Sequence, residues 1–255
     1  MWRRIRIALL LLILTTVIVD TWRTKYRVTS WNNSLRAVVY PINADGSSNT
    51  ERYIAQLHAD QFDALEDYLE AEAHRYGITV LRPVNLELAP TVRDLPPAPP
   101  RSGILQTILW SLQLRWWAWR HDSAGSLYPD IRLFVLYHDP AQTHQLDHSV
   151  GTDKGQIAVI KAFASQRQAN TNLVVIGHEL LHTVGATDKY DMTSLQPIYP
   201  DGYAEPAQQP LYPQAQAELM GGRIPLSENE ADMPISLSET LIGPKTAQEI
   251  GWIHR

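Results

Sequence analysis

Apolar positions along this chain recur in two periods. Runs at Leu35–Ile42, Ile78–Leu88, Ile131–Tyr137 and Gln156–Phe163 are alternating or continuous in apolar residues and predict strands, the last near a sheet edge. From Thr50 to Tyr76, Ile54, Leu57, Phe62, Leu65 and Leu69 stand near helical spacing and predict one helix, closed by Gly77. Ser102 to Arg120 predicts a second helix with two apolar stripes, Leu105, Leu109, Leu112, Trp116 and Trp119 on one and Trp110, Leu114 and Trp117 on the other. Two apolar faces require two partners: a sheet and a covering loop are the expectation, and a bilayer against the second face is the alternative. A third helix is expected from Thr171 to Val184, capped by Asn170 or Thr171 and stopped by Gly185. Strands and helices alternate without internal repeat, which predicts an α/β or α+β domain. The prolines at 90, 96, 97, 99 and 100 mark a stiff extended connection.

The first segment has a different pattern. Arg3, Arg4 and Arg6 precede an apolar run from Ile7 to Val19, and Arg23, Lys25 and Arg27 follow it, with Trp2 and Trp22 at its ends. This predicts a single-pass membrane anchor over residues 1–29 and one domain over residues 30–255, on the outer side of the membrane. No small-x-small cleavage pattern follows the run, which argues against a removed signal peptide.

Composition narrows the chemistry. A formal net charge of -5 excludes the basic stripe that phosphate neutralisation needs, so no nucleic-acid partner is expected. With no cysteine among 255 residues, thiolate metal sites, disulfides and a thiol nucleophile are excluded, leaving histidine and carboxylates as strong metal ligands.

Within the third helix stands HELLH, His178 to His182. Histidines four apart share a helix face, so both rings can reach one metal ion, and Glu179 beside the first can hold and deprotonate a metal-bound water. A tetrahedral hydrolytic zinc keeps one open position and takes three protein ligands, so one more must come from elsewhere. Gly185 lets the chain turn back after His182, and Asp188 follows three residues later. Glu218 is the competing third ligand, supplied from a later segment.

The run HELLHTVGATD resembles the extended zinc signature of the metzincin peptidases, in the variant with Asp at the third position found in snapalysin-type enzymes. ELMGG, Glu218 to Gly222, is similar to the methionine turn of that family, and Leu237 to Trp252 to its closing helix. The resemblance implies a zincin-like mixed sheet carrying an active-site helix, zinc on His178, His182 and Asp188, Glu179 as general base, Met220 beneath the ligands, and a peptide or protein substrate. A metal-stabilised binding module without turnover and a gluzincin-type exopeptidase are the alternatives.

Three further features stand beside this set. Tyr190, two residues past Asp188, has the chemistry to donate to an oxyanion but is expected to be structural. His138, His144 and His148 with Asp139 and Asp147 form a loop able in principle to take a second ion, and a solvated loop is the expectation. Prolines 197, 200, 206, 210 and 213 with Tyr199, Tyr203 and Tyr212 suggest a rigid wall for a peptide cleft, and Ile157 to Lys161 an edge where an extended substrate adds as a strand.

Overall fold

In β1 (Leu35–Asn43) alternate side chains point to opposite faces, and both sets are apolar: Leu35, Ala37 and Val39 on one, Val38, Tyr40 and Ile42 on the other, every one buried. A strand apolar on both faces belongs in the middle of a covered sheet. The computed structural model, which describes residues 6, 15, 23, 26–100, 103–122, 128–146, 149–152 and 156–253, places it there. β1 pairs in parallel with β2 (Val84–Leu88) and β3 (Ile131–His138), and β3 in parallel with β5 (Ile157–Phe163). The short antiparallel β4 (Val150–Thr152) closes the edge, in the order β2-β1-β3-β5-β4. The architecture is a mixed α/β domain with a largely parallel sheet.

Parallel neighbours need crossovers, and these form the covering layers. On one face lie α1 (Ser48–Ala55), α2 (Asp63–Arg75) and α4 (Ala169–Thr183), with Leu65, Leu69, Ile176 and Leu180 fully buried among them. On the other lies α3 (Ile104–Arg120), whose Trp110, Leu114 and Trp117 pack on Val38, Tyr40 and Phe134. The chain ends in a short helix, α5 (Pro244–Glu249), where the resemblance implied a longer closing helix.

Several expectations change. The helix expected over Thr50–Tyr76 is two, because the step from Leu57 to Phe62 is five positions, which carries the apolar stripe off the face. Both remain buried because the chain turns between α1 and α2. Only Val84–Leu88 of the second expected strand pairs, since Arg82 takes a left-handed conformation and Pro83 has no N–H to give. Neither Asn170 nor Thr171 caps α4, which opens on a 3-10 turn with Gln168 at its N-cap position. Asn172 instead turns its amide onto both backbone groups of Phe163, tying helix to strand. The strand Ile157–Phe163 lies one position in from the edge, because β4 covers Ile157, Ala158 and Val159.

Apart from Thr15, the apolar run Ile7–Val19 lies outside the described residues, and among those described no helix is long and apolar enough to cross a membrane. Residues 26–29 are helical and belong to the body: Val28 is buried, and Arg27 meets Asp130 and the Ser34 carbonyl at 3.1 Å each. Trp31, also buried, donates from Nε1 to the Ile250 carbonyl at 2.7 Å.

Candidate metal centre

α4 is held close to α2 by Gly177, where a methyl group would come within 3.0 Å of Leu65. Its outer face carries His178 and His182, each oriented by a backbone carbonyl. His178 Nδ1 meets Leu219 O at 2.9 Å and His182 Nδ1 meets Ala186 O at 2.9 Å. A carbonyl can only accept, so both Nδ1 atoms carry a proton, which leaves Nε2 of each ring as the atom available to a metal ion.

Those two Nε2 atoms lie 3.1 Å apart, and Asp188 Oδ1 is 3.1 Å from each. The three atoms thus form an equilateral triangle held together in the metal-free protein by a proton shared with the carboxylate, a proton that a metal ion can replace. Zinc bonds of about 2.0–2.1 Å at tetrahedral angles separate neighbouring ligand atoms by about 3.3 Å, close to this spacing. The donor set of two imidazoles and one carboxylate suits zinc, and the residues fit the ion. Ligand atoms of His178, Glu179 and His182 also lie within 4.8 Å of one another, the group so placed among the described residues.

Asp188 reaches the triangle because α4 stops sharply. Gly185 adopts a φ of +111°, which an L side chain resists, and Ala186 N returns to the Leu181 carbonyl at 3.0 Å. Both neighbours of Asp188 are then clamped. Glu249 of α5 accepts from Thr187 N at 2.9 Å, Thr187 Oγ1 at 3.0 Å and Lys189 Nζ at 2.8 Å, while Lys189 N donates to Met220 O at 2.9 Å. Burial works against ionisation of Asp188, yet its bonds to His178 and His182 hold the carboxyl well below the usual carboxylate range. Burial likewise opposes protonation of His178, and Asp188 together with Glu179 overcomes it, so the net shift is upward.

The segment Glu218–Gly222 serves both sides of the centre through its backbone. Leu219 O orients His178 and the next carbonyl, Met220 O, receives Lys189 N. Met220 itself is fully buried in the core beside Leu219. Glu218 is turned away from the histidines: Oε2 accepts from Gly221 N at 2.8 Å, and Oε1 from Gly243 N at 3.0 Å and Thr246 Oγ1 at 2.6 Å. Three donors occupy this buried carboxylate, which holds the turn to the start of α5; burial pushes it upward despite them. Below the turn, backbones touch. A methyl at Gly221 would meet Gly202 O at 2.3 Å, and one at Gly202 would meet Lys189 O at 2.2 Å.

Glu179 is buried, at 6% exposure, whereas a third of the Asp188 side chain (32%) faces solvent, so the centre opens on the aspartate side. Tyr190 stands at that opening, its ring 6.2 Å from His178. Burial, reinforced by the Asp188 charge, pushes the phenol up to about 12, so it remains a hydrogen-bond donor at neutral pH. Tyr190 was expected to be structural, and the one sequence signal for its place is its position two residues past Asp188. Lys189 and Glu249 gave none, because their 60-residue separation closes only in three dimensions.

The histidine-bearing loop is not assembled as a second centre among the described residues; His148 and Asp147 lie outside them. Asp139 is buried and engaged, accepting from Asn49 Nδ2 at 2.8 Å and Ala141 N at 2.9 Å. The proline-rich connection is built rather than loose: Ile198 N and Lys189 O bond at 2.7 Å, the hydroxyls of Tyr203 and Tyr212 at 2.9 Å, and Gln214 ties Glu205 and Leu211. Comparison of the chain with protein-family models and with curated proteins finds no match.

Proposed function

We propose that this protein is a membrane-tethered, zinc-dependent peptidase of metzincin type. The observation that carries this reading is the triangle of His178, His182 and Asp188, in which three atoms able to ligate one ion lie 3.1 Å apart. The mixed sheet, α4, the turn at Met220 and the short α5 are compatible with the zincin-like plan that the signature HELLHTVGATD implies. A zinc ion held by those residues would supply Lewis acidity toward a substrate carbonyl and toward the attacking water. Glu179, one residue from the first ligand and shielded from bulk solvent, takes the proton of the attacking water and returns it to the leaving amine. Tyr190, kept as a neutral phenol, donates to the oxygen on which charge develops. Since β4 rather than β5 forms the sheet edge, an extended peptide pairs there. Tethering through the upstream segment that contains Ile7–Val19, with the domain outside the cytoplasm, belongs to the same proposal.

Two observations weigh against the alternatives. An exopeptidase of gluzincin type would take Glu218 as third ligand, but its oxygens are committed to Gly221, Gly243 and Thr246. A binding module has no use for a buried carboxylate beside the first histidine, where Glu179 stands. The test is elemental analysis of the full chain, its Asp188→Ala variant and its Glu179→Gln variant, followed by a peptide-library screen. The expected result is about one zinc per chain, lost in Asp188→Ala and retained in Glu179→Gln, with hydrolysis abolished in both. Zinc-free protein, or turnover surviving Glu179→Gln, would overturn the proposal.

A further inference from the structure

α3 packs on the sheet with one face only. Trp110, Leu114, Trp117 and Ala118 are buried, and Trp110 Nε1 donates to Pro97 O at 2.8 Å. At about 100° per residue, Ile104, Leu105, Leu109, Leu112, Trp116 and Trp119 fall on one arc of roughly 140° on the opposite side. Their exposures run from 55% for Leu112 to 83% for Ile104. The loop expected over this face is not there among the described residues. A contiguous apolar surface of this kind in water marks an interaction site.

The charges around the arc say what covers it. α3 contains no Asp or Glu, while Arg115 stands just inside one end of the arc and Arg120 just beyond the other, with the Arg120 guanidinium 4.8 Å over the Trp116 ring. A second copy docked by two-fold symmetry would bring arginines toward arginines with no carboxylate on the helix to receive them. Tryptophan, leucine and isoleucine with a guanidinium near each end of the arc match instead the boundary between acyl chains and anionic headgroups. The segment Ile7–Val19, bracketed by arginines and by Trp2 and Trp22, repeats that composition upstream.

We infer that the outer face of α3 lies in the headgroup-acyl boundary of an anionic bilayer and holds the domain flat against the membrane. The inference shares the membrane of the proposed function but neither its zinc nor its peptidase activity.

With no native cysteine, single cysteines introduced into the full chain report one place each. Leu105→Cys, Leu112→Cys and, on α2 across the sheet, Asp67→Cys are labelled with an environment-sensitive fluorophore and reconstituted into vesicles of phosphatidylcholine and phosphatidylglycerol. Flotation with the vesicles reports tethering separately. Quenching by nitroxide-bearing lipid is expected to be several-fold stronger at 105 and 112 than at 67, and to fall to the level at 67 when Leu109→Glu is added, with flotation unchanged. Floating protein whose labels at 105 and 112 are quenched equally by aqueous iodide with and without lipid would overturn the inference while leaving the tether intact. Labels shielded from both iodide and nitroxide lipid would overturn it in favour of a protein cover, either residues 1–25 or a second copy. Protein that does not float would overturn both the inference and the tether.

Discussion

Lys189 Nζ and Glu249 Oε2 lie 2.8 Å apart, with side-chain exposures of 5% and 17%. They are 60 residues apart in the chain, and through Thr187 they bracket the aspartate that completes the triangle with His178 and His182. Glu249→Gln removes the charge that receives Lys189 while keeping the shape of the side chain. We expect zinc affinity to fall by about 10–100-fold, as when an outer partner of a ligand is lost, measured by chelator competition. Unchanged affinity would mean that Asp188 is held without the clamp.

The same pair gives a pH dependence. Burial works to raise the Glu249 carboxyl, but its bonds to Lys189 and Thr187 hold it below the ordinary glutamate value of 4.5. Its folded value is depressed, so its contribution is complete above 4.5 and disappears as pH falls through the lower folded value. Acid titration of metal-free protein is expected to show a smaller loss of stability below about pH 4.5 in Glu249→Gln than in the parent. Parallel curves would remove Glu249 from the acid transition.

Glu218→Gln separates a structural carboxylate from a ligand. An amide presents its NH₂ to one of three backbone or hydroxyl donors that now point at oxygen, leaving a buried donor unmatched, at a cost of about 1–3 kcal/mol. Thermal unfolding should therefore start earlier, while zinc stoichiometry in the folded protein stays that of the parent. Loss of zinc with unchanged stability would reverse the assignment between Glu218 and Asp188.

Gly202 and Gly221 stack beneath the centre with no room for a methyl group. Gly221→Ala pushes against Gly202 O, a backbone atom, and overpacking of this kind costs about 1–3 kcal/mol or more. Because the turn at Gly221 also carries Leu219 O and Met220 O, the variant should lose zinc affinity along with stability. A thermal scan with and without zinc checks both, and a tolerated alanine would show that the stack is loose.

Val28 is 3% exposed and Arg27 bonds Asp130, so the helical turn before Ser30 is part of the folded body. A fragment beginning at Tyr26 should be more stable than one beginning at Ser30, by about 1.5–3 kcal/mol for burial of the valine alone. Equal denaturation midpoints would place the fold's edge after residue 29.

Legibility varied with how local the deciding interactions are. The strands at Leu35, Ile131 and Ile157 and the helix carrying HELLH announce themselves because burial on both faces or along one stripe is a property of neighbouring residues. The break at Leu57 to Phe62 was also present as a five-position step, though the surrounding spacing hid it. The role of Asn172 was not legible: its amide engages the end of β5, and no pattern in its own helix records that partner.

At the centre, the sequence by itself determined that two histidines share a helix face, that Glu179 adjoins them, that Gly185 permits a reversal, and that no thiolate competes. Each follows from residue type and helical period alone. Only the tertiary structure set Asp188 beside the histidines and Glu218 away from them, because each carboxylate takes the place that its donors fix. Glu218 is drawn away by Gly221, Gly243 and Thr246, and Asp188 is set toward the histidines by flanking residues tied to Glu249 and Met220. Those partners lie up to 62 residues away along the chain, and hydrogen bonds across such distances exist only once the sheet, α4 and α5 have packed.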